Sequence, residues 1–254
     1  VLRSVSGVSS VGTISQSQAV KYAQNRGKGF QLFDWEMHKD VGNLHFFKYG
    51  NTDSQGVCGY GTNNYQKVTG FTNALGMRDT VSYYKEKGGS NPQAEGAYRD
   101  GVNYQSVNVL GYENFQGNKA EWLQYVTVNK TAADGRWFIT MPDGTERIVQ
   151  GITVYNADIY PTHMVWGQYM DLIAAKEGGS TSSHWFDRFY VGTGLSRVVC
   201  RSSSYANAFG GVSCAYAHSD SSSSVASIGV RLAFRGIIRW AGSVAAFKAI
   251  NQAD

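Results

Sequence analysis

Between Phe186 and Arg239 the chain uses no Lys, Glu, Gln, Met or Trp, although all five types are scattered through the residues before it. The core of that stretch, Cys200–Gly236, is mostly small and polar, punctuated by Tyr205, Phe209, Tyr216 and His218. Few structures suit such a composition. A buried strand would carry more Val, Ile and Leu, and a flexible linker would lack the aromatic rings. Tyr set among Ser, Gly and Asn is the chemistry of a contact surface. Each ring brings large area with few torsions to freeze, and the short polar residues supply adaptable hydrogen bonds. A Ser-rich surface meander is the plainer reading of the same residues.

The remaining composition narrows the function classes. The 254 residues suit one large domain or two small ones. The apolar fraction of 42% and the charged fraction of 17% describe a folded chain with little charge. The net charge of +4 is spread over dispersed Lys and Arg with no basic run, so no nucleic-acid partner is expected. No apolar run approaches the roughly twenty residues of a membrane span, and no membrane insertion is expected. The start at Val1, without Met, reads as a fragment or a processed chain. The three cysteines, Cys58, Cys200 and Cys214, lack metal-ligand spacing. Cys200 and Cys214 can form a disulfide, but small buried thiols are the expected state.

Along the chain, residues 1–14 read as an extended lead-in or edge strand. Ser15 and Gln18 form a capping-box pattern that opens a helix through Tyr22, closed by Gly27. A second helix is expected from Asp34 to Tyr49, with Trp35, Val41, Leu44 and Phe47 on one stripe and Gly50 as the stop. His38 and His45 share a face there, and without a third ligand they read as solvated or hydrogen-bonded histidines. Residues 51–114 are rich in Gly, Asn and Tyr, with short strands or irregular loops at Val81–Tyr84 and Val102–Val109. Strands follow at Trp122–Val128, Trp137–Met141 and Arg147–Val154, the last two joined by a Pro142–Gly144 turn. Asn129-Lys-Thr131 is a formal glycosylation sequon. No composition shift or fixed-period repeat appears, so residues 15–254 are expected to form a single domain.

Three segments together resemble a family. Gly117-Asn118-Lys-Ala-Glu121-Trp122 is similar to the Gly-Asn-x-x-Glu-Trp signature of the formylglycine-generating-enzyme branch of the C-type-lectin fold. Gly229-Val-Arg-Leu-Ala233 resembles the Gly-Phe-Arg-Leu-Ala segment that closes that fold, with Val230 in place of Phe. With the Ser- and aromatic-rich stretch between them, the chain resembles the variable proteins of diversity-generating retroelements, found on phage tail tips and bacterial surfaces. The Lys48–Gln55 run also looks like such phage-associated proteins. The resemblance implies an α+β, C-type-lectin-like fold with short antiparallel strands, two N-terminal helices and extensive irregular loops. It implies a variable region at about residues 200–231, ending at Ile228-Gly-Val-Arg231. It also accounts for the missing residue types, because mutagenesis of AAY codons yields an NNY set that encodes none of the five.

Catalysis finds little support in the residues. The fold's namesake branch oxidises its substrate through closely spaced cysteines, whereas Cys200 and Cys214 stand far apart in sequence. His163 and His184 do not resemble the His cluster of related iron enzymes. Asp187, His218 and a serine can be drawn as a triad, but no Gly-x-Ser-x-Gly elbow frames a nucleophile. Asp187 and Asp220 are too few for a calcium site, and the Glu-Pro-Asn and Gln-Pro-Asp triplets of calcium lectins are absent. The expectation is therefore a binder with no catalytic residues, metal or cofactor.

Alternation on twisted strands makes Tyr205, Asn207, Phe209, Tyr216, His218, Asp220, Ser222 and Ser223 the expected ligand-facing set. Asn118, Trp122 and Arg231 are the expected scaffold residues, Arg231 tying loop carbonyls together and Trp122 filling the core. The resemblance implies a receptor-binding adhesin on a virion tail tip or cell surface. Its partner would be a host-surface protein or glycan, and by analogy with fibre tips its assembly a homotrimer. The alternatives are a structural fibre or decoration domain of fixed specificity and, remotely, an oxidoreductase of the formylglycine-generating type.

Overall fold

The computed structural model describes residues 2, 3, 5, 7–61, 107–153, 156–180, 182, 185–202, 209–237 and 242–246. Strand β1 (Ile14–Ser15) leads into helix α1 (Gln16–Gln24), with β2 (Phe30–Leu32) between it and helix α2 (Trp35–Tyr49). The short helix α3 (Ser54–Cys58) follows. Beyond it come β3 (Asn108–Val109), β4 (Tyr112–Glu113), β5 (Ala120–Val128), β6 (Arg136–Thr140), β7 (Glu146–Gln150), β8 (Asp158–Ile159), β9 (His163–Val165) and β10 (Ile173–Lys176). The C-terminal third supplies β11 (Phe189–Val191), β12 (Arg197–Arg201), β13 (Ala215–Ala217), β14 (Ser224–Val225), β15 (Ile228–Val230) and β16 (Leu232–Phe234).

The chain is α+β. One sheet holds eight strands in the order β7-β6-β5-β12-β13-β11-β8, with β15 also paired to β5, and four small two-stranded pairs surround it. The strands are short, as expected, but the sheet is mixed and not purely antiparallel. β11 runs parallel to β13, and β15 runs parallel to β5. Parallel neighbours need long connections, and the sequence supplies them, with β12 between β11 and β13 and β6 to β14 between β5 and β15.

Local signals fix the helices. Ser15 caps α1 with a complete capping box, its hydroxyl accepting from the Gln18 amide while the Gln18 side chain accepts from the Ser15 amide. Asp34 caps α2 in the same position, taking the Met37 amide at 3.0 Å, and Gly50 ends it in the left-handed conformation at φ 61°. Only half of the expected α2 stripe is inward. Trp35 and Val41 are buried, but Leu44 and Phe47 are 57% and 72% exposed. The inward face instead carries His38, Gly42 and His45, because neighbouring chain presses close there. A Cβ on Gly42 would sit 2.3 Å from Leu172 Cδ1, so any side chain there would have to displace the buried Leu172 methyl.

Neither histidine is solvated. His45 lies 3.6 Å from the Cys58 sulfur. His38 is fully buried against Trp35 and Phe115, and among the described residues neither of its ring nitrogens has a hydrogen-bond partner. Burial, and then the charge of Arg201, holds the His38 ring well below its ordinary pKa of 6.5.

Strand β5 is buried on both faces, which is why it reads as an apolar run without clean alternation. Trp122 turns toward α1 into a small core with Ala19, Ala23, Leu32, Val198 and Cys200. Leu123 turns the other way, into the main core with Trp35, Phe115, Trp137, Ile139 and Phe189. The β6–β7 hairpin closes through the Pro142–Gly144 turn, where Met141 donates to Thr145 and Gly144 takes φ 86°. Strand β7 stops at Gln150, short of the expected Val154.

Candidate ligand-binding face

The sequence Ala215-Tyr-Ala-His218 alternates as a half-buried strand should. Both alanines are buried, Tyr216 is half-buried and His218 is exposed. Beside it, Phe189-Tyr-Val191 does the same, with Tyr190 facing outward in register with Tyr216. The two phenol rings lie parallel with centroids 5.8 Å apart, and the His218 ring meets Tyr190 edge-on at 5.3 Å. Strand β8 completes the face. Asp158 accepts the Tyr216 hydroxyl at 3.0 Å and Arg188 Nη1 at 2.9 Å, and Asn156 accepts the Tyr190 hydroxyl at 3.1 Å. The Arg188 guanidinium sits 3.7 Å from the Phe209 ring centroid and 4.8 Å from that of Tyr216.

The result is a rigid aromatic plate whose charges are already paired. A ligand settling on it need not strip water from a lone charge, and few rotamers remain to freeze. Its rings, amide and carboxylate offer contact area and hydrogen bonds.

Of the expected ligand-facing residues, the structure brings Phe209, Tyr216 and His218 together. Tyr205 and Asn207 lie outside the described residues. Asp220, Ser222 and Ser223 form a separate turn, in which Asp220 Oδ1 accepts from the Ser222 amide at 2.9 Å, the Ser222 hydroxyl at 2.6 Å and the Ser223 hydroxyl at 3.3 Å. The Ser222 bonds, above all, hold the Asp220 carboxyl below its ordinary pKa. This turn docks on the start of α1, where the Ser221 carbonyl accepts the Ser17 amide and hydroxyl. Asn156, Asp158, Arg188 and Tyr190 belong to the plate but were not singled out by sequence. Tyr190 carried a readable signal, the buried-exposed-buried pattern of Phe-Tyr-Val.

Behind the plate, buried polar groups fix the chain that follows Phe209. Asp187 accepts the Gly211 amide at 2.7 Å and the Ser213 amide and hydroxyl at 2.9 and 2.7 Å. Burial pushes its carboxyl pKa up, and those bonds only partly oppose it. From α3, Ser54 accepts the Val212 amide and Gln55 the Gly210 amide. A side chain on Gly211 would collide with Ser54 and Asp187. Asp187 thus spends its oxygens on Gly211 and Ser213, while the His218 ring packs on Tyr190, so these residues do not assemble the triad drawn on paper.

The scaffold residues are tied to one buried knot. Arg231 Nη2 donates to Glu121 Oε1 and to the Glu113 carbonyl, both at 2.9 Å, and its Nε reaches Glu121 Oε2 at 3.2 Å. Arg201, fully buried, also donates to Glu121 and to the Phe115 carbonyl, with its guanidinium 3.6 Å from the Phe115 ring centroid. Burial lowers the Arg201 pKa to about 10 against the pull of Glu121. Burial alone would raise Glu121, but Arg201 and then Arg231 outweigh it and hold the carboxyl below its ordinary value. Trp122 is fully buried and donates from Nε1 to the Ile14 carbonyl at 3.0 Å. Asn118 is buried in the left-handed region, where it turns the chain into β5.

Cys58, Cys200 and Cys214 are buried and in no disulfide with one another, and burial pushes Cys200 up to about 12. His163 is exposed beside Thr162, and His184 lies outside the described residues. The sequon residue Asn129 is buried, donating to the Gly192 carbonyl at 2.9 Å and accepting from Gly135, so its amide is not presented to a glycosylating enzyme in the folded chain.

No protein-family model matches the chain, and no curated protein is significantly similar to it.

Proposed function

We propose that the chain is a ligand- or receptor-binding adhesin on a C-type-lectin-like scaffold, with the aromatic plate as part of its contact surface. The observation that carries this reading is the in-register stack of Tyr190 on Tyr216, edged by His218 and braced by Arg188 and Asp158. Rigid tyrosines with nearby short polar residues make a binding surface at small entropic cost.

The scaffold reading gains support from where its two motifs meet. Ile228-Gly229-Val230 pairs in parallel with Ala120-Glu121-Trp122, and Arg231 then closes on Glu121. The segments that suggest the family are thus neighbours at the centre of the sheet. On this reading the 200–231 region is variable, the partner is a host-surface protein or glycan, and the site is a virion tip or cell surface.

The test is binding to host cells and to glycan and protein arrays by wild type and by the triple variant Tyr190→Ala, Tyr216→Ala, His218→Ala. Loss of binding with a nearly unchanged melting temperature is the expected result; full retention of binding would overturn the reading. Exposed Val5, Val8, Val11 and Ile237 favour a second reading, a structural fibre domain that packs against copies of itself. The coding DNA separates the two. A near-copy of the Cys200–Arg231 segment differing only at adenines, beside a reverse transcriptase, belongs to the first alone.

A further inference from the structure

Tyr125 stands in the left-handed region at φ 60°, inside the nine-residue strand β5. Bulky residues rarely adopt that conformation. The kink has a packing result, since it lets Leu123 and then Val126 and Val128 all face the main core. Gly or Asn would make the same kink at lower cost. The chain instead carries a tyrosine whose side chain joins neither core. It is 39% exposed, and among the described residues its hydroxyl has no hydrogen-bond partner and its ring no aromatic or cationic neighbour. Strain kept for a half-covered side chain that joins neither core and leaves its hydroxyl unpartnered points to a ligand.

The ring lines an open groove of about 530 Å³ between the α1–β2 turn and the β6–β7 hairpin, a volume typical of small-ligand sites. Gln24, Lys28 and Thr140 also line it, and among the described residues none of their side-chain polar groups has a partner. Arg235 lines it too, but its guanidinium is clamped by Asp34 through two contacts of 2.8 Å. Lys28 is thus the uncompensated charge among the lining residues. An extended peptide cannot add to β2 here, because Gly29 accepts from Arg235, Phe30 donates to Gly27 and Leu32 donates to Gln124.

We propose that this groove binds the end of a saccharide carrying one acidic group, a carboxylate or a sulfate. The Tyr125 ring offers a face to the C–H side of the sugar. Gln24 and Thr140 match its hydroxyls, and Lys28 takes the anion. The groove lies at the β5–β6 end of the sheet, away from the plate on β13, β11 and β8, so it is a second and independent site.

The test is titration, followed by NMR, of the full chain with N-acetylneuraminic acid, glucuronic acid, glucose 6-sulfate and, as the neutral control, glucose. At least one acidic sugar binds and glucose binds at least tenfold more weakly. Tyr125→Asn weakens acidic-sugar binding at least tenfold while the melting temperature holds or rises, since Asn suits the backbone. Lys28→Gln removes the preference for acid over neutral. The Tyr190→Ala, Tyr216→Ala pair leaves this binding unchanged, which separates the groove from the plate. Absence of binding by every acidic sugar, preference for glucose, or binding that survives both Tyr125→Asn and Lys28→Gln would overturn the proposal.

Discussion

Arg231 grips Glu121 across 110 residues of sequence, with Nη2 2.9 Å from Oε1, and so locks the end of β15 to the strand it pairs with. The same carboxylate neutralises Arg201, which has no exposure of its own. One acidic side chain therefore serves two guanidinium groups.

Replacing Glu121 by Ala should leave Arg201 buried and uncompensated. Breaking a buried pair from one side costs about 3–5 kcal/mol, to be read from denaturant midpoints. Arg231→Ala should cost less, because Arg231 is partly exposed and Glu121 keeps Arg201.

Acid sensitivity should follow from the same carboxylate. Its folded pKa lies below the ordinary value of 4.5, so its stabilisation is complete above that pH and is lost as pH falls through the folded value. Glu121→Gln should flatten the acid limb of the stability curve below pH 4.5, measured by urea melts from pH 3 to pH 6.

His38 should act in a higher window. Its folded pKa lies well below 6.5, so the unfolded chain binds more protons between the two values, and stability falls as pH drops below 6.5. The slope from one such group is up to about 1.4 kcal/mol per pH unit. His38→Phe should remove that slope between pH 7 and pH 5 and leave stability at pH 7.5 within about 1.5 kcal/mol.

Trp122→Ala should unfold the domain or cost about 3–5 kcal/mol. Trp122→Phe, which keeps most of the volume but loses the bond to Ile14, should cost about 1–2 kcal/mol.

Asp187→Ala should strip partners from the buried Gly211 and Ser213 amides at about 1–3 kcal/mol for each. Because Phe209 precedes the loop those amides hold, affinity at the plate should fall with it. Asp187→Asn keeps an acceptor oxygen and should recover part of both.

Where the information was local, the sequence was readable. Ser15 with Gln18 marks the start of α1, Gly50 the end of α2, and Pro142–Gly144 the hairpin, because each acts within a few residues. Tyr216 and His218 were legible as outward residues from alternation alone. What was hidden depends on distant chain. Nothing near Leu44 or Phe47 reveals that Leu172 and Phe115 press on the opposite side of α2. Nothing around Arg188 announces Asp158 as its partner, and Tyr125 looks like an ordinary strand residue until the kink is seen. The mixed sheet was missed for the same reason, since parallel pairing leaves no mark in either strand.

The parallel seating of Ile228 beside Ala120 also bears on how the chain acquires its shape during synthesis. The start of the central strand, Ala120–Trp122, waits for a parallel partner that leaves the ribosome more than a hundred residues after it, although β6 pairs with its far end at once. Long-range pairing of this kind is slow to close. Truncated N-terminal pieces should therefore stay unfolded, and the protein should gain its structure late and in one cooperative step.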